Sequence, residues 1–164
     1  MSERDDVVTR MAGPLPPAVA AAVDGRANIL AMTEAAHDAA LTPKDPGGLS
    51  HALRAALAER VSRLHADDRM AAHFRELLQA AGADETLIAI AALGDGAPEP
   101  AVAAMVAYTD RVAKAPREMT AADISALQAA GVGDPDIVRL AELNAFLAYQ
   151  LRVIAGLRLL GANA

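Results

Sequence analysis

The chain contains no cysteine and no tryptophan, and aromatic residues make up only 2% of its 164 residues. The absence of cysteine excludes disulfides, thiol nucleophiles and thiolate metal ligands. With so few aromatic residues, Ala, Leu, Val and Ile must supply the core of a chain that is 54% hydrophobic. Alanine is the best helix former, and no run of alternating β-branched residues indicates a strand. The composition therefore predicts an all-α protein.

Basic residues are also scarce: 15 Lys and Arg stand against 21 Asp and Glu, which gives a net charge of −6. The basic residues are dispersed among the acids and form no basic stripe. Nucleic-acid binding rests on clustered Lys and Arg that neutralise phosphates. The charge pattern therefore argues against nucleic acid as a general partner.

The chain has no long hydrophobic run either. Its longest uncharged run, Met11–Val23, is about thirteen residues long and holds three prolines, whereas a membrane span needs roughly twenty apolar residues. The N-terminal sequence MSERDDVVTR is charged and has no apolar signal core. These features predict a soluble, cytoplasmic protein without a membrane partner. The high apolar content of so small a domain also indicates that some helix faces bury against other subunits.

Hydrophobic periodicity and turn residues divide the chain into seven to eight helices. The first thirteen residues look polar and loosely tied, and the segments TPKDPGG (42–48) and GDGAPEP (94–100) read as loops. Helices are predicted over 17–24 and 27–41, from 49 to a junction at 65–68, from there to Gly82, over 84–93, 100–115 and 120–131, and from 134 onward. The apolar stripe of the helix over 27–41 consists of Ile29, Leu30, Met32, Ala36 and Ala40.

The segment 49–74, LSHALRAALAERVSRLHADDRMAAHF, carries two apolar stripes in different helical phase. The two stripes are Leu53, Leu57, Val61 and Leu64, and then Met70, Phe74, Leu77 and Leu78. The second is rotated from the first by roughly a quarter turn at about 100° per residue. Two helices, or one sharply kinked helix, must therefore meet near Asp67. Either Asp67 or Asp68 is suited to be the N-cap of the second helix.

This segment resembles the redox segment of the AhpD-like / carboxymuconolactone decarboxylase family, whose pattern is close to L-x-x-x-x-R-E-x-x-x-L-x-x-x-x-L-N-x-C-x-x-C-x-x-x-H. Leu49, Arg54 and Leu64 keep its frame. The family's C-terminal motifs are matched in order by Pro116, Thr120, Asp123, Leu127, Gly131, Asp136 and Ile137. The resemblance implies an AhpD-like helical domain over 49–161, preceded by an N-terminal helical arm over 1–48. It also implies assembly into homo-trimers or homo-hexamers.

The positions that carry peroxidase chemistry in that family hold other residues here. Asp67 and Met70 stand in place of the two cysteines, Ala55 in place of the proton-relay glutamate, and Phe74 in place of the histidine, with His73 one residue early. In the redox members a thiolate attacks the hydroperoxide and a second cysteine resolves the sulfenic acid. Aspartate cannot be oxidised and reduced in this way, and nothing near Met70 resolves a sulfoxide. We therefore expect no disulfide peroxidase activity.

A second branch of that family, the lactone decarboxylase, transfers protons on a small carboxylate and needs no cysteine. The candidate catalytic residues for such chemistry are His73, Glu59, His65 and Asp67, because a histidine near neutrality beside a carboxylate is a general acid or base. Simpler roles compete with this reading. Asp67 is also a good helix cap, and His73 and His65 also suit surface or interface positions.

The remaining polar residues of the segment have two readings. Its five arginines either bind a carboxylate substrate or pair with neighbouring acids on a solvated face: Arg54, Arg60, Arg63, Arg69 and Arg75. Met70 and Phe74 are simplest as core residues that fill the place of a redox pocket. A metal site through His65, Asp67 and His73 is disfavoured because no two histidines have i,i+4 spacing. Neither a metal nor a cofactor is predicted.

Three functions stay open at this point. The first is a redox-inactive, homo-oligomeric AhpD-like protein. The second is a cysteine-independent acid–base enzyme that acts on a small organic acid through His73 or His65 with Glu59. The third is an oligomeric scaffold, or an interaction protein that pairs with a cysteine-bearing relative.

Overall fold

The computed structural model describes residues 6–94 and 99–162, and these residues form nine α-helices and one 3-10 helix, without a strand. The all-α prediction is confirmed. The helices are α1 (Val7–Ala12), α2 (Pro17–Asp24), α3 (Ala27–Leu41), α4 (His51–Leu64), α5 (Asp68–Ala80), α6 (Glu85–Ala91), α7 (Pro100–Lys114), α8 (Ala121–Ala129) and α9 (Asp134–Ala162). Most of the predicted loop over 94–100 lies outside the described residues.

The helix α1 was not among the predicted helices. The carboxylate of Asp6 caps it by accepting a hydrogen bond from the Thr9 amide at 2.9 Å. Val7 and Val8 are only 2% and 1% exposed, and α1 packs against α3 and α9. The prediction of a loose segment was wrong from residue 7 onward, because one and a half turns are too short to show an apolar period. Burial, and not helix propensity, holds such a short helix.

The helix α4 lies at the centre of the fold and packs against α3, α5, α6, α7 and α9. Every residue from Leu53 to Ser62 is buried, including Arg54, Glu59 and Arg60. The predicted solvated face of arginines and acids is therefore wrong for these three residues. A helix that is surrounded on all sides must bury its polar side chains, and each then needs a partner inside the protein.

Arg54 meets this need with backbone oxygens. Its guanidinium donates to the carbonyl oxygens of Leu49, Ala40 and Pro46 at 2.9, 2.9 and 3.2 Å. These three oxygens lie at the end of α3 and in the loop that leads into α4. Arg54, which the resemblance counts as part of the family frame, thus anchors this loop to the central helix.

The helix α9 is the longest and packs against α1, α2, α3, α4, α7 and α8. Its buried face consists of Ile137, Leu140, Leu143, Asn144, Leu147, Gln150, Leu151 and Ile154. Among the described residues it is the one helix long and apolar enough to cross a membrane by length and composition alone, a test that core helices of soluble proteins also pass. Only 22% of its most apolar 18-residue window is buried within the chain. The opposite face of α9 is therefore largely uncovered.

Candidate functional site

Asp67 stands at the junction of α4 and α5, as the change of helical phase predicts. One carboxylate oxygen accepts a hydrogen bond from the Met70 amide at 3.1 Å, so that Asp67 is the N-cap of α5. The other pairs with Nη1 of Arg158 on α9 at 2.8 Å. Nε and Nη2 of Arg158 also donate to the carbonyl oxygen of Met11, so that this side chain links α9 to α1. Met70 and Phe74 are fully buried, which confirms both the cap and the core roles.

Replacing Asp67 with alanine is expected to lower the free energy of unfolding by about 2 kcal/mol. Loss of a cap costs about 1 kcal/mol, and loss of a partly buried, charge-assisted bond adds about 1 kcal/mol. Asp67→Asn keeps an acceptor for the cap and is expected to lose only about half as much. Urea denaturation of the two variants measures both effects. An Asp67→Ala protein as stable as wild type would contradict the structural role.

Glu59 is bound by arginines and not by a histidine. Arg63 and Arg75 each place Nη2 against the same oxygen, Oε1, at 2.8 and 2.6 Å. The carboxylate is 1% exposed, and Oε2 has no hydrogen-bond partner among the described residues. His73 lies two residues before Arg75 on α5, which is about 200° around the helix. The face of α5 that meets Glu59 is therefore not the face of His73, and the predicted Glu59–His73 pair is not formed.

His73 meets a histidine that the sequence analysis leaves without a role. Its Nε2 lies 3.4 Å from Nε2 of His37 on α3, and Nδ1 of His37 lies 3.1 Å from the side-chain amide nitrogen of Gln150 on α9. The exposed fractions of His37, His73 and Gln150 are 4%, 9% and 0%. The expectation of a surface histidine was therefore wrong for His73. The packing of α5 points the His73 side chain inward, between α3 and α9.

His37, His73 and Gln150 form a cluster, which we call the histidine cluster. It allows two opposite orders of protons, because both the nitrogen and the oxygen of the Gln150 amide lie within hydrogen-bond distance of Nδ1 of His37, at 3.1 and 3.4 Å. If the Gln150 amide donates to Nδ1 of His37, the proton of His37 is on Nε2 and points at His73. His73 then accepts at Nε2 and carries its own proton on Nδ1. Two aromatic rings enclose the pair: Phe74 is stacked on His37 at 6.0 Å between centroids, and Phe146 meets it edge-on at 5.9 Å.

Both imidazoles are neutral at pH 7. Burial lowers the pKa of His73 to about 4, and repulsion from a protonated His37 and from Arg10 acts in the same direction. Burial also lowers the pKa of His37, although the hydrogen bond to Gln150 and the charge of Glu34 oppose it. A buried, neutral imidazole pair is able to accept a proton. Protonation is unfavourable there, because the charged form loses its hydration in the apolar core.

A small cleft of about 180 Å³ lies next to the histidine cluster, and it is lined by Leu41, Thr42, His51, Ala55, Leu77, Ala80 and Ala81. Leu41 follows His37 by four residues, and Leu77 follows His73 by four. The cleft is therefore about one helical turn away along both helices. Leu41 is 2% exposed and lines the cleft. The cleft is mostly apolar and does not expose the imidazoles.

His65 is exposed at the C-terminal end of α4, as a surface histidine would be. It lines a second cleft of about 190 Å³ with Asp67, Ala148, Leu151, Arg152 and Ala155. The four predicted catalytic residues thus divide into three places: His65 and Asp67 at this cleft, Glu59 between two arginines, and His73 in the histidine cluster. No group of three or more His, Asp or Glu in the described part of the chain is arranged to hold a metal ion.

Sequence reasoning missed His37 because α3 buries a different stripe from the predicted one. Thr33, His37 and Leu41 are buried at i, i+4 and i+8, whereas Ile29 and Met32 of the predicted stripe are 40% and 66% exposed. The hydrogen-bonding partners of the buried stripe lie on α9, more than a hundred residues later. The i,i+4 spacing was visible in the sequence, but its partners were not.

Comparison with family models, with curated proteins and with solved structures gives no match for this chain. The resemblance of the segment 49–74 to the AhpD-like family therefore stays a prediction, as does the division of the chain at residue 48.

Proposed function

We propose that this chain is a cysteine-free relative of the AhpD-like family that works as a homo-oligomeric helical protein and is not a disulfide peroxidase. The contacts at the α4–α5 junction carry the proposal. The residues at the two cysteine positions, Asp67 and Met70, serve as a helix cap and as a fully buried core side chain. With Phe74 also fully buried, packed side chains occupy the place where a redox pocket would need access for a hydroperoxide.

The uncovered apolar surface supports the oligomeric part of the proposal. Val138 and Leu159 on α9 are 56% and 65% exposed, and Met32 on α3 is 66% exposed. Single exposed apolar residues are ordinary, but several exposed apolar side chains along the open face of one helix indicate a contact surface.

A peroxidase assay tests the redox part of this function. The purified chain, incubated with cumene hydroperoxide and dithiothreitol, is expected to consume hydroperoxide no faster than buffer does. The matched control is the Asp67→Cys/Met70→Cys variant, which supplies the C-x-x-C spacing on the same backbone and reports whether sulfur is the missing element. Catalytic turnover by the wild-type chain would reject the proposal.

A second candidate is an acid–base enzyme that acts on a small organic acid, and the histidine cluster favours it. His73 is a general base in the other order of protons: Nδ1 of His37 donates to the Gln150 side-chain oxygen at 3.4 Å, His73 donates from Nε2 to Nε2 of His37 at 3.4 Å, and Nδ1 of His73 is left as the acceptor. The reacting proton must come within hydrogen-bond reach of His73, so a ligand has to reach it from the apolar cleft.

Decarboxylation of carboxymuconolactone, followed by its ultraviolet absorbance, tests this second function. If the acid–base reading holds, wild-type protein decarboxylates the lactone, and His73→Gln lowers the rate by about 100-fold or more. His51→Gln is the matched control, because His51 lines the cleft without belonging to the histidine cluster. Equal rates in wild type and His73→Gln would reject the candidate.

A further inference from the structure

The uncovered face of α9 carries a heptad pattern along the whole helix. Its exposed residues recur at alternating steps of three and four, and we call them the α9 seam: Pro135, Val138, Glu142, Ala145, Tyr149, Arg152, Gly156 and Leu159. All eight are exposed. Such a 3.5-residue repeat is the pattern by which one helix packs along another in a left-handed coiled coil.

The seam lies opposite the face by which α9 joins its own chain. Leu140, Leu147 and Ile154, in the middle of the buried face, are fully buried, and they stand roughly half a turn of the helix away from the seam. One side of α9 is therefore a core helix of the bundle. The other side repeats the spacing of an interface, and its residues are exposed in the described part of the chain.

The seam is complementary to itself when it is reversed about position 147. An antiparallel copy places each residue opposite the one equally far on the other side of this point, and each layer then combines unlike residues. The layers are Glu142 with the partner's Arg152, Ala145 with the partner's Tyr149, Val138 with the partner's Gly156, and Pro135 with the partner's Leu159. An acid thus meets a base, and small residues meet large ones.

Charge complementarity is the strongest part of this match. Glu142 has no ion pair or hydrogen bond within residues 6–94 and 99–162, and inside its own chain its charge acts at longer range on Arg54. Arg152 donates one hydrogen bond, to the carbonyl oxygen of Ala148 at 2.9 Å, and has no carboxylate partner in the same residues. The antiparallel arrangement pairs both charges twice, once on each side of the two-fold axis. Charges so placed select the antiparallel register over a parallel one, in which like residues would face each other.

The shapes of the facing seam residues are complementary as well as their charges. A Cβ added to Gly156 meets nothing within 4 Å in its own chain, so this position leaves space for the partner's Val138. The Tyr149 hydroxyl lies 2.9 Å from the Thr33 hydroxyl, within hydrogen-bond distance, while the residue remains 43% exposed. A side chain that is already fixed in place loses less conformational entropy when a partner covers it.

We infer that two copies of this chain pair through the α9 seam as an antiparallel, two-fold symmetric dimer. This inference deepens the proposed homo-oligomeric function and rests on it, and it gives a dimer in place of the homo-trimer or homo-hexamer that the resemblance implies. A membrane is a poorer occupant of the same surface. Glu142 and Arg152 would lie in lipid without partners, and Gln150, Asn144 and Arg158 bind α9 to the rest of the bundle.

Charge reversal tests the pairing. Light scattering and sedimentation of the full chain are expected to give a dimer. Glu142→Arg or Arg152→Glu alone places like charges in two layers and is expected to raise the dimer dissociation constant at least about 10-fold. The double variant Glu142→Arg/Arg152→Glu restores both pairs and is expected to return the constant to within about threefold of wild type. Glu76→Arg, an exposed reversal on α5, is the control and leaves the dimer intact.

Orientation is measured separately. Because the chain has no cysteine, a spin label attaches only at an introduced Leu160→Cys. An antiparallel dimer sets the two labels roughly 40 Å apart along the helices, since each residue adds about 1.5 Å. A parallel pair sets them about one helix spacing apart, roughly 10 Å, and a short distance would overturn the arrangement.

The outcomes separate this inference from the proposed function. An oligomer that survives both single charge reversals rejects the α9 seam and leaves the homo-oligomer in place. A stable monomer at tens of micromolar concentration rejects the seam together with the oligomeric part of the proposed function. Flotation of the chain with phosphatidylcholine vesicles, abolished by Leu159→Glu, would make the surface a membrane contact and also overturn the dimer. None of these results depends on the peroxidase assay.

Discussion

Replacing Arg60 with alanine is expected to lower the free energy of unfolding by about 3 kcal/mol, the lower end of the cost of removing one partner of a buried ion pair, because Asp110 is 20% exposed and keeps Lys114 at 3.8 Å. Arg60 is 6% exposed. Its Nε and Nη2 donate to the two carboxylate oxygens of Asp110 at 2.6 and 2.8 Å. Its Nη1 donates to the carbonyl oxygens of Ile90 and Gly94 at 2.9 and 3.2 Å. One side chain thus joins α4, α7 and the end of α6.

Guanidinium denaturation measures the effect, and two further variants serve as comparisons. Arg117→Ala removes an exposed arginine and is expected to change the free energy of unfolding by no more than about 0.5 kcal/mol. The double variant Arg60→Ala/Asp110→Ala is expected to cost less than the sum of the two single changes. In the double variant, neither partner of the ion pair remains without the other. A loss below about 1 kcal/mol in Arg60→Ala would show that the three helices are held without this contact.

Acidification from pH 6.5 to pH 4 is expected to remove about 3 kcal/mol of stability through the histidine cluster. Burial lowers the pKa of His73 from 6.5 to about 4. Between these values the unfolded chain holds a proton on this histidine that the folded chain does not. The contribution is therefore complete above pH 6.5, decreases as the pH falls, and is lost below about pH 4, at about 1.4 kcal/mol for each pH step between the two pKa values.

The pH dependence is measured by urea denaturation at intervals from pH 7.5 to 4, with chelator present. Carboxylates also titrate at the acid end, so the informative quantity is the difference between wild type and His73→Gln. This variant removes the titrating imidazole and is expected to be less sensitive to acid by most of the 3 kcal/mol. Gln79→Ala, an exposed substitution outside the cluster that removes no titrating group, is expected to keep the wild-type slope. Parallel curves for wild type and His73→Gln would mean that folding does not lower the pKa of His73.

The helices were predictable because the signals for their ends are local. Ser50 accepts a hydrogen bond from the Leu53 amide, and Asp67 from the Met70 amide, at 3.1 Å each. Thr120 and Asp123 form the capping box that starts α8. Each signal acts within three or four residues, so the sequence displays it directly. α1 escaped prediction because its stability comes from distant contacts.

The candidate site was predictable only in part, because its contacts join residues that are far apart in the sequence. Asp67 was correctly expected to be a cap, and Met70 and Phe74 were correctly expected to be core residues. Glu59 was paired with the wrong side chain in the acid–base hypothesis, since packing of α5 on α4 brings Arg75 to it and turns His73 away. The chemistry of a carboxylate depends on its neighbours, and here one of those neighbours is 16 residues away.

By itself, the sequence determines that this chain is helical and has no thiol chemistry, because both follow from which residue types are present and how they are spaced. The tertiary structure alone decides which polar groups are buried and what they meet. His37 and His73 are 36 residues apart, and His37 and Gln150 are 113 apart. No local pattern can bring such residues together. The packing of α3, α5 and α9 does so, and it also leaves the α9 seam on the outside.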